Sequence, residues 1–384
     1  MGRTPGHCEA PFRNMDDTRH DTDIHSTRRI DFIDIARGIG IVFVVLGHNL
    51  WSKSLGSAVI FNFHMPLFFF LSGMFFLPRR MRTWKEIRHR CLSVVLHLPF
   101  FAVAACLVFL VEPDQLRLLS KRTMYLLFVH GEPWFDKPLW FFSSLAGVTF
   151  CFAMVSRLRP TGWNSVGKGA FLAACLVLSF AASKTPPAFR KLWSPAMLAT
   201  IPFGLFWYGM GYFSRGTMDR LGRNRICAAP LLLLAATLFL ALAFWADPAT
   251  KPDLRTARMG SWLLFPRSLL GIAAVILAAR AMSSGRVGTS IAFVGRNSVA
   301  FFALEFVTFP FVARALGAVV PGYHHFKVAE RTDLWQSFLA VAVQLSVLAA
   351  LAPIIMNALS RFKARTGLAR PGPALVQPPP KEAT

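Results

Sequence analysis

Residues 29–49 read RIDFIDIARGIGIVFVVLGHN, an apolar stretch that carries several ionisable side chains. About 20 apolar residues in a helix cross the hydrocarbon core of a bilayer. Steps of three and four residues place one set of side chains on the same helix face, namely Asp34, Arg37, Ile41, Val45 and His48. An ionisable group at the bilayer centre costs at least about 2.5–3.5 kcal/mol. The stretch therefore predicts a membrane helix whose acid, guanidinium and imidazole are candidates for function.

The rest of the chain repeats this pattern of long apolar blocks. Of its 384 residues, 54% are hydrophobic and 16% are charged, whereas a soluble protein carries about 25% charged residues. A helix satisfies its own backbone hydrogen bonds in lipid, and the alternating strands of a membrane barrel are absent from this sequence. The sequence predicts an all-α, polytopic integral membrane bundle of about ten transmembrane helices. We expect them near residues 33–51, 59–77, 91–111, 139–156, 169–183, 196–214, 227–246, 261–281, 291–315 and 335–358.

The net charge of +23 is a topology signal. The basic residues lie in short loops and tails, where membrane topology places them, and this argues against binding to nucleic acid. Lys and Arg on the side of the N-terminus outnumber those on the other side by about two to one. We therefore expect both termini to be cytoplasmic.

Composition divides the chain into three parts. Residues 1–28 are polar, contain no apolar signal-peptide core and predict a disordered cytoplasmic tail. Residues 29–358 form the predicted membrane domain, and residues 359–384 a basic, Pro-rich cytoplasmic tail. The six cysteines form no CxxC pair, so we interpret them as small packing residues.

A second histidine follows the first membrane helix closely. Only a short turn separates the first two predicted spans, so His48 and His64 are expected at the same membrane depth. Two facing histidines can act as a general base and its partner, because imidazole titrates near neutral pH. They can also bind a metal, but no third ligand follows at helical spacing, and we predict none. In the alternative interpretation Asp34 and Arg37 form a structural ion pair, and the histidines only pack.

These residues resemble a known family. The run RIDFIDIARGIGIVFVVLGH (29–48), followed by FHMPLFFFLSGMFF (63–76), is similar to the acyltransferase-3 family of bacterial membrane O-acyltransferases, with the fucose 4-O-acetylase-like branch the nearest in pattern. The spacing from Arg37 to His48 and the HMPLFFFLSG wording are its specific parts. Weaker similarities are PLWFF (138–142), FGLFWY (203–208) and GRNS (295–298), so the resemblance covers about residues 29–358.

The resemblance implies an acyltransferase reaction in a bacterial inner membrane. The donor would be cytoplasmic acyl-CoA, usually acetyl-CoA as co-substrate with no bound cofactor, and the acceptor a hydroxyl of a cell-surface or lipid-linked glycan. His48 would be the general base or transient acyl carrier, with His64 and Asp34 in the catalytic set. The CoA phosphates would be held by basic residues, which are Arg37, Arg79, Arg82, Arg88 and Arg90.

One position departs from the family pattern. After GRNS, relatives tend to have Tyr-Leu-x-His, whereas this chain has Phe302-Ala-Leu-Glu305. Glu305 is an intramembrane acid that needs a partner, for which Arg267 and Arg314 are the candidates. The departure leaves the identity of the acceptor open.

Two further residues and two further functions complete the hypotheses. Trp140 is a candidate for sugar stacking or for an interfacial aromatic belt, and Ser72 either bonds a histidine or its own helix. A transporter of a glycan or small anion is the alternative function, since intramembrane Asp, Arg and His also mark transport pathways. A membrane sensor without chemistry is the third. The concentration of ionisable groups in the first two spans favours the enzyme.

Overall fold

The computed structural model describes residues 17–50, 54–77, 83–95, 139–158, 163–184, 200–223, 228–247, 252, 262–321 and 334–365. All regular structure among these residues is helical, which confirms the all-α prediction for this part of the chain. The helices are α1 (Asp17–Asn49), α2 (Leu55–Met74), α3 (Trp84–Val95), α4 (Leu139–Arg157), α5 (Ser165–Lys184), α6 (Ile201–Phe213), α7 (Arg215–Arg223), α8 (Ala228–Trp245), α9 (Leu264–Ala281), α10 (Arg286–Arg296), α11 (Ser298–Val319) and α12 (Leu334–Arg365). A short 3₁₀ turn, Met282–Ser284, joins α9 to α10.

Six of the described helices are long and apolar enough to cross a membrane. They are Phe32–Asn49 within α1, α2, α5, α8, α9 and α12, and each falls on a predicted span. Two other predicted spans form shorter helices, the apolar Phe141–Arg157 within α4 and α6 with 13 residues. The predicted span 91–111 lies mostly outside the described residues. The total of about ten and the cytoplasmic location of both termini stay predictions.

The predicted span 291–315 is wrong as a single helix. The chain divides there into α10 and α11 at Asn297, whose side chain donates a hydrogen bond to the Phe293 carbonyl. Helix α10 carries polar residues between the members of a buried stripe of small residues, Gly288, Ala292 and Gly295. That stripe packs on α1, so α10 is a short amphipathic helix and only α11 continues the apolar segment.

Helix α1 lies at the centre of the described bundle. It contacts α2, α7, α9, α10, α11 and α12. Glycines permit its closest crossing, because a Cβ at Gly38 would overlap the carbonyl oxygen of Ile291, and one at Gly295 would overlap that of Asp34. The membrane windows of α1 and α2 are each 72% buried, against 17% for α5 and for α8. Most of the surface of α5 and α8 is therefore left unburied.

Two hydrophobic clusters fill the described interior. The larger is rich in phenylalanine and joins α1, α2, α3, α4, α6, α8, α9, α10, α11 and α12. The smaller contains Val312 and Leu316 of α11 with Ala340 of α12. The described residues of this smaller cluster all belong to or directly adjoin α11 and α12.

Candidate active site

The polar stripe of α1 faces the protein interior. Asp34, Ile41 and Val45 are buried, with 5%, 1% and 0% of their surface exposed. Arg37 and His48 are half-buried and lie on the same stripe. The one-face prediction from the sequence is compatible with this burial, and the stripe has an acidic–basic end and an imidazole end.

Arg37 forms the first end with three neighbours. Its Nη1 lies 3.4 Å from Asp34 Oδ1, one turn back on α1. Its guanidinium also lies 4.4 Å from the centre of the Phe75 ring, at the end of α2. The positive charge of Arg90 on α3 acts on Arg37 from a third element. Among the described residues, two guanidinium groups from different helices therefore lie within electrostatic range of each other, and one of them is bonded to Asp34.

The other predicted donor-binding arginines are placed differently. Arg88 is exposed on α3, whereas Arg90, two residues further along the same helix, is half-buried. The N-terminus of α3 is fixed by Thr83 and Glu86, whose side chains each bond the backbone N–H of the other. Arg79 and Arg82 lie outside the described residues.

His48 forms the second end of the stripe and is paired with Glu305. His48 Nδ1 lies 2.5 Å from Glu305 Oε1 on α11. The His48 side chain is 23% exposed, whereas that of Glu305 is 1% exposed. Glu305 Oε2 is buried and has no hydrogen-bond partner among the described residues. The dyad thus combines a deeply buried carboxylate with an imidazole that remains accessible.

The expected partners of Glu305 were wrong. Arg314 is exposed two turns further along α11, and Arg267 is buried on α9 within electrostatic reach of Asp247. The partner found is His48, 257 positions away in the sequence. The fold brings the imidazole of His48, rather than either arginine, to the carboxylate.

His64 lies in α2 beside the same site. Its Nδ1 lies 2.9 Å from the carbonyl oxygen of Ile60 in its own helix. The ring of Phe61 contacts both imidazoles edge-on, with centroid distances of 4.9 Å to His64 and 5.8 Å to His48. His64 therefore lies close to the dyad. The residue paired with His48, however, is Glu305 of α11 and not His64. The catalytic role of His64 stays a prediction.

The two remaining candidates lie apart from the dyad. Ser72 is half-buried near the end of α2, and its carbonyl accepts the backbone N–H of Phe75. It is closer to the Arg37 end than to His48, since Phe75 also contacts Arg37. Trp140 is the second residue of α4, and its side chain lies outside the described part.

A set of uncharged polar residues beside the dyad escaped the sequence analysis. Asn49, Thr308 and Gln344 are buried and are joined by hydrogen bonds to one another and to the backbone of Glu305. The available signal was an amide side chain within each of two apolar blocks, α1 and α12. An uncharged amide in an apolar block stands out less than an ionisable group does.

The arrangement at His48 is suited to proton transfer. A carboxylate on one ring nitrogen holds the tautomer and orientation of an imidazole, and it stabilises the imidazolium that forms when the other nitrogen takes a proton. Nδ1 is the ring nitrogen in contact with Glu305, and Nε2 is the one farther from the carboxylate. Arg37 and His48 are separated by about 16 Å along α1, at 1.5 Å per residue.

Sequence comparison places the chain in a known family. The acyltransferase-3 model, described as an acyltransferase domain, matches residues 30–358 and so covers most of the chain. No curated protein and no solved structure matches. The matched range includes both ends of the α1 stripe and Glu305, and this chain therefore belongs to the acyltransferase-3 family.

Proposed function

We propose that this protein is a membrane O-acyltransferase. It moves an acyl group, with acetyl as the expected one, from cytoplasmic acyl-CoA to a hydroxyl of a cell-surface or lipid-linked glycan. The observation that carries the proposal is the contact of His48 Nδ1 with Glu305 Oε1 at 2.5 Å. Family membership supports acyl transfer, and the dyad supplies the general base that such a transfer uses. A bacterial plasma membrane is part of the same proposal.

The proposed reaction balances around His48. Nε2 takes the proton of the acceptor hydroxyl as its oxygen attacks the thioester carbonyl carbon. The carbon–sulfur bond then breaks, and the CoA thiolate leaves and recovers the proton from the imidazolium. The products are an ester and free CoA. In a two-step version, His48 carries the acyl group before the hydroxyl attacks.

Arg37 and Arg90 are the proposed holders of the donor. Both are cationic, one lies half-buried against Phe75, and guanidinium groups bind phosphate in a bidentate manner. The extended pantetheine arm of CoA would cover the distance from this end of α1 to His48. The donor would then enter from the cytoplasm and the acceptor would meet the acyl group deeper in the bundle.

The test is turnover by the purified protein in lipid nanodiscs. Acetyl-CoA is added with a panel of p-nitrophenyl glycosides, and released CoA and acetylated glycoside are measured by mass spectrometry. We expect both products from the wild type and only background from His48→Ala. His89→Ala, a change of another half-buried histidine on α3, is the matched control. Equal product from His48→Ala and the wild type, or glycoside transport without CoA release, would overturn the proposal.

A further inference from the structure

A buried polar network lies directly behind the His48–Glu305 pair. It contains one side chain from each of three helices, Asn49 of α1, Thr308 of α11 and Gln344 of α12. They are 4%, 5% and 0% exposed. Buried polar groups in an apolar bundle persist when their hydrogen bonds are made, and here they are.

Gln344 is the centre of this network. Its Oε1 accepts a hydrogen bond of 2.8 Å from Asn49 Nδ2. Its Nε2 donates to the backbone carbonyl of Glu305 at 2.7 Å and to Thr308 Oγ1 at 3.2 Å. One amide thus uses its acceptor towards α1 and its donors towards α11. A side chain with only acceptors or with no polar atoms cannot reproduce both sets of bonds.

The two ends of the Gln344 bridge adjoin the two members of the dyad. Asn49 follows His48 in the chain, and its Nδ2 also donates to the Val45 carbonyl at 2.8 Å, which closes the last turn of α1 around His48. The other end is bonded to the backbone of Glu305 itself. Gln344 therefore links the end of α1 next to His48 to the backbone of α11 at Glu305.

The geometry points to Gln344 as a positioning residue that sets the contact between His48 and Glu305. This inference rests on the proposed function, because it assigns a role in the same proton transfer. Gln344 touches neither substrate nor the imidazole in this role. It acts through its hydrogen bonds to Asn49 and to the backbone of Glu305. These bonds keep His48 Nδ1 in contact with Glu305 while the proton is transferred.

The test compares Gln344→Met with Gln336→Met in the nanodisc assay. Methionine keeps most of the volume of glutamine and loses the hydrogen bonds. Gln336 is a second buried glutamine on α12, two turns from Gln344, and serves as the matched control. We expect Gln344→Met to lower kcat by about 10- to 100-fold, since a displacement near 1 Å can cost 10²-fold in rate. The KM for acetyl-CoA should stay unchanged, because the Arg37 end is about 16 Å away.

A double variant separates positioning from a general effect on folding. In the Glu305→Gln background, adding Gln344→Met should cause little further loss, because the contact that Gln344 sets is already weakened. Losses that multiply, an equal loss in Gln336→Met, or an unchanged kcat in Gln344→Met would each overturn the inference. If His48→Ala keeps full activity, the proposed function itself fails, whatever Gln344→Met does.

A readout without turnover tests the same geometry. In protein labelled with ¹⁵N-histidine, the Nδ1 resonance of His48 is assigned by its loss in His48→Ala. We expect Gln344→Met to shift this resonance and Gln336→Met to leave it in place. An unmoved resonance in Gln344→Met would show that the amide does not set the dyad, even if no glycoside in the panel is an acceptor.

Discussion

The most direct perturbation of the proposed mechanism is Glu305→Gln, which keeps the shape of the side chain and removes its charge. Glu305 is 1% exposed and contacts His48 Nδ1 at 2.5 Å, so solvent does little to screen the pair. A hydrogen bond to a charged group contributes about 1.5–3 kcal/mol. If that amount stabilises the imidazolium in the transition state, its loss lowers kcat by about 10- to 150-fold, since 1.36 kcal/mol is a factor of ten.

The assay is CoA release from acetyl-CoA in nanodiscs over a range of donor concentrations. Glu305→Gln should lower kcat and leave the donor KM unchanged, because the effect is confined to the proton-transfer step. Glu305→Ala should cost more than Glu305→Gln, because a glutamine still bonds to the ring nitrogen and alanine cannot. Glu86→Gln removes an exposed carboxylate on α3 and should behave as the wild type in kcat.

A particular pattern of results would refute this reasoning. Were Glu305→Gln to turn over at the rate of the wild type while His48→Ala is inactive, the imidazole would work without its carboxylate. A selective rise in donor KM would instead assign Glu305 to binding.

Three further outcomes are expected. Arg37→Ala should raise the donor KM by about tenfold or more, with Arg37→Lys between it and the wild type, because a charge-assisted contact to phosphate is lost; initial rates against acetyl-CoA concentration check this, and an unchanged KM argues against phosphate binding. His48→Ala should lower the free energy of unfolding by about 1–3 kcal/mol, because it leaves Glu305 buried without its partner. Adding Glu305→Gln should restore part of that loss. A fluorescence melt in which the double variant unfolds at a lower temperature than His48→Ala would contradict the pairing. Gly38→Ala should destabilise by about 1–3 kcal/mol, since its Cβ would overlap the backbone of α10, whereas Gly317→Ala, with open space around its Cβ, should stay within about 1 kcal/mol of the wild type in the same melt; equal melting of the two variants would show that the crossing can relax.

The main features of the fold follow from hydropathy and length. Six predicted spans coincide with described helices, because a run of about 20 apolar residues has few other structures in lipid. The division at Asn297 was missed because Phe293 and Val294 continue the apolar pattern across the polar residues of α10. A hydropathy average does not detect such a break. The stripe of small residues holds α10 against α1, but hydropathy alone does not show that α1 is its packing partner.

The site was predictable only where its parts share one helix. Asp34 and Arg37 are three residues apart, so helical periodicity is enough to place them together. Glu305 was recognised as an acid in need of a partner, but the choice of His48 depends on how α11 packs beside α1. The amide of Gln344 was not recognised at all, because an uncharged side chain carries a weaker signal in an apolar block than a charged one.

The position of the dyad along its helices bears on how the two substrates meet. His48 lies at the end of α1, but α11 continues about 21 Å past Glu305 and α12 begins about 15 Å before Gln344, at 1.5 Å per residue. The end of α1 therefore lies within the length of the bundle. In the proposed reaction the acceptor hydroxyl has to pass along the α11–α12 pair to reach His48, while the donor enters from the Arg37 end. A proton released there cannot be taken up by bulk water as readily as at a surface, so in the proposed reaction the base depends on a carboxylate held beside it. An acid held by buried amides meets that need, and this is why the carboxylate at 305 and the amide at 344 make physical sense together.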